Sequence, residues 1–497
     1  PPKRFPQTIV VYTKASNLGE NPFFMEREIY STKRKALMLN LDQSKYGTIA
    51  EIGGGQEVAR AFFQAGGASG TIAKSISAYD KTFSDHLYNE GNADRYVCLP
   101  RLEKMLETEY CELLSVLGSQ RKNNVRFFAF ANTVETLNFS KSNKGHGWLG
   151  VKFELTQQGK PNEIVIHVRL HENDGALQQY TLGTLGVNLI FACYNYYSTP
   201  NTFLQSLMDN LDRDRVEITM ARMTGPDLSW VDNRLLCVQL VKNGMANAIM
   251  FDRYGQVQQP SDMLYKKNAL VLRGRFRPIT YVGFDILKSS YALFKTDEDH
   301  TPESTLQICE ITLNNLLEEG ELNERDFLDR VDLLNGMGQN VLISNFREFY
   351  KLGEYFAQFK AKNIRIIVGV PIFSKILDKK YYANLKGGLL EAMGKMFPEN
   401  TKFYIYPALN PETGGVVTSN DIDMPADIKH LFNYLKLNRK IHDLTDINPK
   451  WLSISSTEVL ALIRTGNPKW EKMVPKYILQ NIKAKELFGY KNVSSES

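Results

Sequence analysis

The amino-acid sequence predicts an α/β protein, with a mixed α/β N-terminal body followed by a mostly parallel, doubly wound C-terminal α/β domain. After about residue 300, short apolar strand patterns alternate with amphipathic helical patterns, which is typical of right-handed βαβ units on a parallel sheet. Before that point, strand and helix patterns follow one another without regular alternation. The 497 residues are 43% hydrophobic and 23% charged, ordinary values for a globular protein of two or three domains.

The first part of the chain divides into an arm and a body. Residues 1–34 form a predicted N-terminal arm with one strand pattern, Thr8–Tyr12. Residues 35–295 form a predicted mixed α/β domain of one or two subdomains, whose elements follow from helical or alternating apolar spacing. Its predicted helices are Glu51–Ala65, Leu102–Leu117, Ala176–Tyr194, Thr202–Leu211 and Val231–Asn243. Its predicted strands are Lys35–Asp42, Val125–Ala131, Trp148–Leu155, Glu163–Leu170, Val216–Met220, Ala246–Phe251 and Asn268–Phe276.

The polar stretch Lys295–Ser304 predicts a linker between two domains. Residues 305–497 then form the predicted parallel α/β domain. Its predicted strands are Val341–Ser344, Ile364–Val370 and Lys402–Tyr406. Its predicted helices are Leu306–Leu317, Glu324–Leu334, Arg347–Phe359, Ile376–Met396, Ile428–Asn438 and Ser456–Thr465.

Charge and composition narrow the function classes. A net charge of +5 without a basic stripe argues against a nucleic-acid-binding protein. The chain shows neither a signal-peptide pattern nor an apolar run long enough to span a bilayer, so we expect a cytoplasmic protein that does not enter the membrane. The five cysteines are odd in number and widely spaced, which favours buried free thiols over disulfides or a zinc site.

One basic cluster lies at the end of the last strand pattern of the body. On a strand, Arg273, Arg275 and Arg277 share one face, because successive side chains alternate between the two faces of a sheet. Three guanidinium groups on one side predict a site for an anionic ligand or an acidic partner surface. The alternative interpretation is a solvated sheet face with carboxylate neighbours.

The C-terminal segment Ser453–Tyr490 carries the most distinctive pattern. It reads I-S-S-T over residues 454–457, followed by Gly466 and by Val474-Pro475. In these residues it resembles the C-terminal end of nicotinate-nucleotide adenylyltransferases.

The resemblance implies that Ser455, Ser456 and Thr457 hold nucleotide phosphates, because a helix N-terminus attracts anions. Two features depart from the family pattern. The family's arginine falls on Leu460, and the chain contains no H-x-G-H, which the family carries on a glycine-rich strand-to-helix turn. The alternative interpretation is a capping box formed by Ser455 and Glu458.

A wider resemblance covers the chain from Lys35 onward, through segments such as HGWLGVKF, LGTLGVNLIFA and KWEKMVP. They are similar to an uncharacterised bacterial family of about 480 residues, and such a likeness implies fold more than function. Its members go under two names, TonB-dependent receptor and nicotinate-nucleotide adenylyltransferase. The first name conflicts with the expectation that the chain does not enter a membrane.

Two further patterns favour structural roles. Gly53–Gly55 precedes a helix, but Gln56 and Glu57 stand where a P-loop has its basic and hydroxyl groups. His167 and His171 share a strand face but have no third ligand at a matching spacing for a metal. The sequence therefore predicts no metal site and no cofactor, and it identifies no catalytic residue.

Two functional hypotheses follow. The favoured one is a non-catalytic, self-assembling homo-oligomer, because the 24 Tyr and 27 Phe suit interfaces and the arm suits addition to a neighbouring sheet edge. The alternative is a nucleotide-binding, adenylyltransferase-like enzyme that uses ATP and nicotinate mononucleotide. Its phosphates would lie at Ser455–Thr457, or near Ser344 and Gly369 at the carboxyl ends of parallel strands.

Overall fold

The computed structural model describes residues 27–89, 95–121, 125–296 and 300–491. The predicted strand Thr8–Tyr12 and most of the predicted arm 1–34 lie outside these residues. Within the described residues, the chain forms two large sheets and one two-stranded sheet (Ala408–Leu409 with Val416–Val417). The helices and strands of the two large sheets occur in separate stretches of sequence.

The first stretch contains seven helices and six strands among the described residues. The helices are α1 (Thr32–Asn40), α2 (Glu57–Ala65), α3 (Lys81–Tyr88), α4 (Leu99–Leu117), α5 (Gly175–Asn195), α6 (Pro200–Leu207) and α7 (Asn233–Lys242). The strands are β1 (Lys45–Gly53), β2 (Ile72–Ala78), β3 (Arg126–Glu135), β4 (His146–Phe153), β5 (Asn162–Leu170) and β6 (Val216–Thr224).

These six strands form a mixed sheet in the order β2-β1-β3-β4-β5-β6. β2, β1 and β3 are parallel, and the pairs from β3 to β6 are antiparallel. Neighbouring residues of β1 pack on opposite faces: Ile49 contacts the core that contains α2 and α5, and Ala50 contacts the core that contains α4. Both faces of the sheet are therefore covered by helices.

Two predicted elements of this first stretch differ from the structure, and β2 and α3 were not predicted. Residues 35–42 were expected as a strand, but they belong largely to α1, because Lys35 is fully buried against Asp209 and so joins Ala36 and Leu39 on the inner helix face. The predicted helix Glu51–Ala65 starts only at Glu57. The preceding residues are β1, whose nine residues are all buried and so lack an alternating pattern.

The second stretch begins at β7. Its strands are β7 (Ala248–Phe251), β8 (Val257–Gln258), β9 (Asn268–Arg273), β10 (Thr305–Thr312), β11 (Asn340–Ser344), β12 (Asn363–Gly369), β13 (Thr401–Tyr406), β14 (Ala408–Leu409), β15 (Val416–Val417) and β16 (Ile441–Asp443). Its helices are α8 (Pro260–Leu264), α9 (Tyr281–Phe294), α10 (Leu313–Leu316), α11 (Glu324–Gly336), α12 (Phe349–Ala357), α13 (Val370–Ile376), α14 (Gly388–Met396), α15 (Ala426–Leu437), α16 (Ser456–Arg464) and α17 (Lys476–Lys485).

Eight of these strands form the second sheet, in the order β16-β13-β12-β9-β10-β11-β7-β8. The six strands from β16 to β11 are all parallel. Taken from β11 to β16 and renumbered 1 to 6 along the chain, they follow the order 3-2-1-4-5-6 of dinucleotide-binding α/β folds. Residues of α9, α11, α16 and α17 pack on one face, and residues of α12, α14 and α15 pack on the other. The predicted mixed body and mostly parallel, doubly wound C-terminal domain are therefore confirmed as fold class.

The second sheet takes strands from both sides of the polar stretch 295–304. β9 lies in its centre, between β12 and β10, although its residues precede that stretch. The stretch therefore connects α9 to β10 within one sheet-and-helix unit, and the change from the first sheet to the second falls between β6 and β7.

Several helices of the second stretch differ from the sequence prediction. Residues 306–317 were expected as a helix and instead form β10 and the short α10; Glu310 is buried on this strand, so the strand lacks an exposed polar face. The predicted helix Ile376–Met396 is divided into the end of α13 and α14, with the short 3-10 helix Lys379–Tyr382 and a turn that ends at Gly387 between them. α8, α9 and α17 were not predicted.

The structure bears on two expectations from composition, one about membrane-spanning segments and one about the cysteines. Among the described residues, no helix is both long enough and apolar enough to cross a membrane. All five cysteines are free thiols; four are buried as expected, whereas Cys111 is exposed on α4.

Candidate functional site

The turn from β9 into α9 is the first strand-to-helix turn of the parallel sheet, and it carries two of the three predicted arginines. β9 ends at Arg273, and residues 274–280 lead into α9. The alternating pattern predicts a strand as far as Phe276, but Phe276 has a φ of 48°, which is incompatible with a strand. Arg275 and Arg277 therefore leave the sheet and do not share a strand face with Arg273.

Arg273 has a separate environment. Its Nε and Nη2 each donate to the carboxylate of Glu310 at 2.9 Å, and Glu310 is fully buried. The Ser344 hydroxyl donates to the same carboxylate at 2.6 Å. Arg273 is thus engaged in a bidentate ion pair inside the sheet, away from the other two arginines.

Arg275 and Arg277 line a cavity of about 500 Å³, which we call the arginine cleft. Its walls come from the β9–α9 turn, the segment after α10, and α16. The lining residues are Arg275, Arg277, Glu318, Glu319, Ser456, Thr457, Leu460, Ala461, Arg464 and Thr465. The fold therefore brings together two groups that the sequence analysis considered separately, the arginine cluster and the I-S-S-T segment.

Carboxylates fix the arginines of the cleft. Arg275 pairs with Glu318 at 2.7 Å, and both side chains are about half exposed. Arg277 is more enclosed and contacts Glu319 at 2.8 Å and Asp326 at 2.5 Å. Hydrogen bonds from Arg277 and from Arg464 lower the pKa of Glu319 to about 2, so this carboxylate is charged at neutral pH.

The first turn of α16 forms the opposite wall. Ser455 is the N-cap residue, but its side chain makes no capping hydrogen bond, so the capping box expected with Glu458 is not formed in the described structure. The amides of the first turn of a helix and its dipole favour an anion at this end. Ser456 and Thr457 are the residues of this turn that line the cleft.

Arg464 is a residue of the cleft that the sequence did not single out. The resemblance places an arginine at position 460, where this chain has Leu460. Arg464 lies one helical turn further along the same face of α16, and both residues line the cleft. Arg464 donates to Glu319 at 2.9 Å. Helical spacing from position 460 could have identified it.

The cleft lies where ligands bind in folds of this type. In open α/β sheets, ligands bind outside the carboxyl ends of the strands, next to the first strand-to-helix turn. Here that turn is Gly274–Thr280, which begins with glycine but contains no histidine. Ser344 and Gly369, the other predicted ligand positions, end β11 and β12, and neither lines the cleft.

The triple glycine before α2 has a packing role. A Cβ at Gly53 would lie 2.1 Å from the carbonyl oxygen of Val134, so the loop lies directly against β3. The N-terminus of α2 is already occupied, because the amides of Val58 and Ala59 donate to the carboxylate of Glu51 at 3.0 and 3.2 Å. Burial raises the pKa of Glu51 to about 7.

The two histidines that were expected on one strand face, His167 and His171, also contact different partners. His167 is buried, and its Nδ1 lies 2.6 Å from the hydroxyl of Thr219, whereas His171 lies near Glu217 at 3.8 Å. In the described part of the chain, no group of three or more histidine, cysteine, aspartate or glutamate residues is arranged to hold a metal ion.

Comparisons with known proteins add little. No family model matches the chain, and no curated protein matches it. A competence/damage-inducible protein from Agrobacterium tumefaciens shares 15% identity, with a TM-score of 0.22 over 33% of this chain and 93% of its own. A nicotinic acid mononucleotide adenylyltransferase from Plasmodium falciparum shares 16% identity, with a TM-score of 0.27 over 45% of this chain and 98% of its own. Similarity at this level identifies neither a family nor a function.

Proposed function

We propose that this protein binds a phosphate-bearing small molecule of nucleotide size in the arginine cleft. The proposal depends on one observation: Arg275, Arg277, Arg464 and the first turn of α16 line the same cavity at the carboxyl end of β9. Arginine side chains and helix N-termini are the two commonest protein groups for holding phosphate. Their convergence on one cavity supports an anionic ligand more strongly than either group alone.

The cleft offers room and an apolar wall as well as charge. Small-molecule sites usually measure about 300–1,000 Å³, and the cavity of about 500 Å³ lies within this range. Leu460 and Ala461 supply apolar surface between the arginines and the first turn of α16. A phosphate at the turn and an apolar ring against Leu460 would use both kinds of surface, as a nucleotide does.

Ligand binding must compete with the carboxylates of the cleft. The Arg275–Glu318 pair is exposed, and exposed ion pairs contribute only about 0–1 kcal/mol. A phosphate that accepts two N–H bonds from one guanidinium forms a stronger interaction than such a pair. We therefore infer that phosphate replaces Glu318 on Arg275, whereas Arg277 stays attached to Asp326.

Adenylyl transfer from ATP to nicotinate mononucleotide is a second candidate function. It is supported by the cavity that Arg275 and Arg277 of the Gly274–Thr280 turn share with Ser456 and Thr457 of the I-S-S-T segment. A strand-to-helix turn and this segment are the two places where the resembling enzymes carry their motifs. The turn has no histidine, and the sequence contains no H-x-G-H. We therefore propose ligand binding without adenylyl transfer as the primary function.

Thermal unfolding of the full chain with ATP, AMP or inorganic pyrophosphate tests the binding proposal. A ligand at about 100 times its Kd stabilises a protein by about 2.7 kcal/mol, which raises the unfolding midpoint measurably. The variants Arg275→Ala and Arg464→Ala should weaken binding by about tenfold or more, because each removes charge-assisted hydrogen bonds. Arg60→Ala is the matched control, since it also removes an exposed arginine from a carboxylate pair, with Glu57 at 3.1 Å.

If none of the three phosphates raises the midpoint, the binding proposal is wrong. If ATP binds and the protein also releases pyrophosphate when nicotinate mononucleotide is added, the enzyme hypothesis replaces the binding-only hypothesis. Binding without pyrophosphate release supports the primary proposal.

Self-assembly into homo-oligomers through residues 1–34 remains a separate proposal. One observation supports an available surface: β2 forms the edge of the first sheet and pairs only with β1 among the described strands. Ala73, Ser75 and Ser77 of this strand are exposed. An edge strand with small exposed side chains can accept an added strand from another chain.

A further inference from the structure

A second cavity, of about 380 Å³, lies between the first sheet and the second sheet. β5 and β6 of the first sheet contribute Arg169 and Glu217 to its wall. The chain after β11, together with α12 and its end, contributes Asn345, Tyr355 and Gln358. This cavity shares no lining residue with the arginine cleft.

Glu217 is a buried carboxylate with one oxygen only partly engaged. The side chain belongs to a residue that is 5% exposed. Its Oε1 accepts hydrogen bonds from the backbone and side-chain nitrogens of Asn247, at 2.8 and 3.1 Å. The other oxygen lies 3.6 Å from Arg169 and 3.8 Å from His171, beyond the usual hydrogen-bond distance. This oxygen is held in a fixed place and keeps its capacity to accept.

Tyr355 presents a buried hydroxyl on the same wall. The residue is 5% exposed, and the hydroxyl has no hydrogen-bond partner among the residues that the structure describes. Its ring is fixed by Phe346 and Phe359, with centroids at 5.2 and 5.0 Å. Buried hydroxyls normally have a partner; this one keeps an unused donor on a residue that lines the cavity.

The charges of the wall indicate the class of ligand. Arg169 and Lys351 are balanced by Glu217 and Glu354, so the wall has no net charge. Burial lowers the pKa of His171, which keeps the imidazole neutral at neutral pH. The arginine cleft has three arginines against two carboxylates and so a net positive charge for a phosphate, whereas here two cations face two carboxylates. A ligand without net charge, whose groups both donate and accept, fits better.

We propose that this cavity binds a small, uncharged, polyhydroxylated molecule, of the size of one sugar unit. A hydroxyl group is both donor and acceptor. It can donate to the free oxygen of Glu217 and accept from the hydroxyl of Tyr355, which completes the hydrogen bonds of both side chains. Asn345 and Gln358 line the rim and offer amide groups to the neighbouring hydroxyls of the ligand.

Saturation-transfer NMR on the full chain, with D-ribose, D-glucose and myo-inositol as probes, tests this proposal. L-serine is the control ligand, because it is similarly small but carries full charges. We expect transfer to at least one of the three polyols at about 10 mM and none to L-serine. Tyr355→Phe and Glu217→Gln should each weaken polyol binding by about tenfold. Arg60→Ala, which lies in neither cavity, should leave it unchanged.

Tyr355→Phe supplies a second measurement that does not depend on Glu217→Gln folding. Because the hydroxyl has no partner in the described structure, the unfolding midpoint without sugar should stay equal or rise. A lower midpoint would show that the hydroxyl has a structural partner, and it would overturn the proposal. The proposal is also overturned if no polyol gives saturation transfer, if both variants bind the polyol as well as the original chain does, or if L-serine binds.

Discussion

Arg277 and Arg464 bind the same carboxylate: Glu319 lies 2.8 Å from the first and 2.9 Å from the second. The contact joins the strand-to-helix turn after β9 to the far end of α16. Because one carboxylate holds both guanidinium groups, the two arginines stay close together in spite of their like charge. The arginine cleft is thus organised in advance of any ligand, with Glu318 paired to the half-exposed Arg275.

Glu318→Gln should strengthen phosphate binding. Glu318 is exposed and pairs with Arg275, so its charge opposes an incoming anion without supporting the fold. We expect the Kd for ATP or pyrophosphate to fall by about threefold to tenfold, which corresponds to removal of about 1 kcal/mol of competition. Isothermal titration calorimetry measures it. Glu57→Gln, which removes the carboxylate partner of the exposed Arg60, should not change the Kd; weaker binding in Glu318→Gln would contradict the inferred exchange.

Glu310→Gln should strongly destabilise the fold. Glu310 is fully buried and accepts two hydrogen bonds from Arg273 and one from Ser344. Removing the charge leaves Arg273 without its buried counterion, and such losses cost about 3–5 kcal/mol. Urea unfolding measures the loss. Glu303→Gln, at an exposed position just before β10, should lie within about 0.5 kcal/mol of the original chain.

Glu51 should make stability fall as the pH rises from about 4.5 to about 7. Burial raises its pKa from 4.5 to about 7 in the folded chain. Between these values the unfolded chain releases the proton while the folded chain keeps it, so deprotonation favours the unfolded state. The raised pKa of Glu51 contributes about 3 kcal/mol to the free energy of unfolding. This contribution is complete below pH 4.5 and is lost above pH 7.

Urea unfolding across this pH range, compared between the original chain and Glu51→Gln, isolates the effect. Glutamine carries no charge and has one oxygen, so it keeps an acceptor for one of the two amides of Val58 and Ala59, which bond to different oxygens of Glu51. The variant should therefore lack this part of the pH dependence. Parallel curves for the two proteins would show that Glu51 does not titrate in this range.

Deletion of residues 1–26 tests the assembly proposal. If the arm joins neighbouring chains, the full chain should form homo-oligomers and the shortened chain should be smaller, by multi-angle light scattering. Residues from Arg27 onward are retained because Arg27 contacts Asp209 at 2.5 Å and helps to anchor α1. If the oligomer keeps its size after the deletion, the arm does not join the chains. If the full chain is a monomer, the assembly proposal is wrong.

Much of the fold follows from the sequence where the apolar pattern is local. β11, β12, β13 and α11 lie close to their predicted positions, since each has apolar spacing that one element explains. The errors concern residues whose polarity is neutralised by distant partners. Lys35 is buried by Asp209, and Glu310 is buried by Arg273, so α1 and β10 do not show the amphipathic pattern of their true structure.

The candidate site was only partly predictable for a similar reason. The arginines and the I-S-S-T segment each have a local signal, but their meeting depends on the order of strands in the second sheet. Glu318 and Glu319 have no local signal at all, because their role lies in pairing with Arg275, Arg277 and Arg464. The second cavity was not predicted, since Glu217 lies on a strand of the first sheet and Tyr355 lies on α12, far away in the sequence.

The central position of β9 has a consequence for synthesis on the ribosome. β9 is translated before β10 and well before β12, the two strands that flank it. Its six residues are mostly buried in the finished sheet, so they remain unpaired on one side until residue 369 has been made. Exposed apolar strand edges of this kind promote aggregation of partly made chains. We therefore expect truncated chains that end between β10 and β12 to depend on chaperones, whereas the complete chain does not.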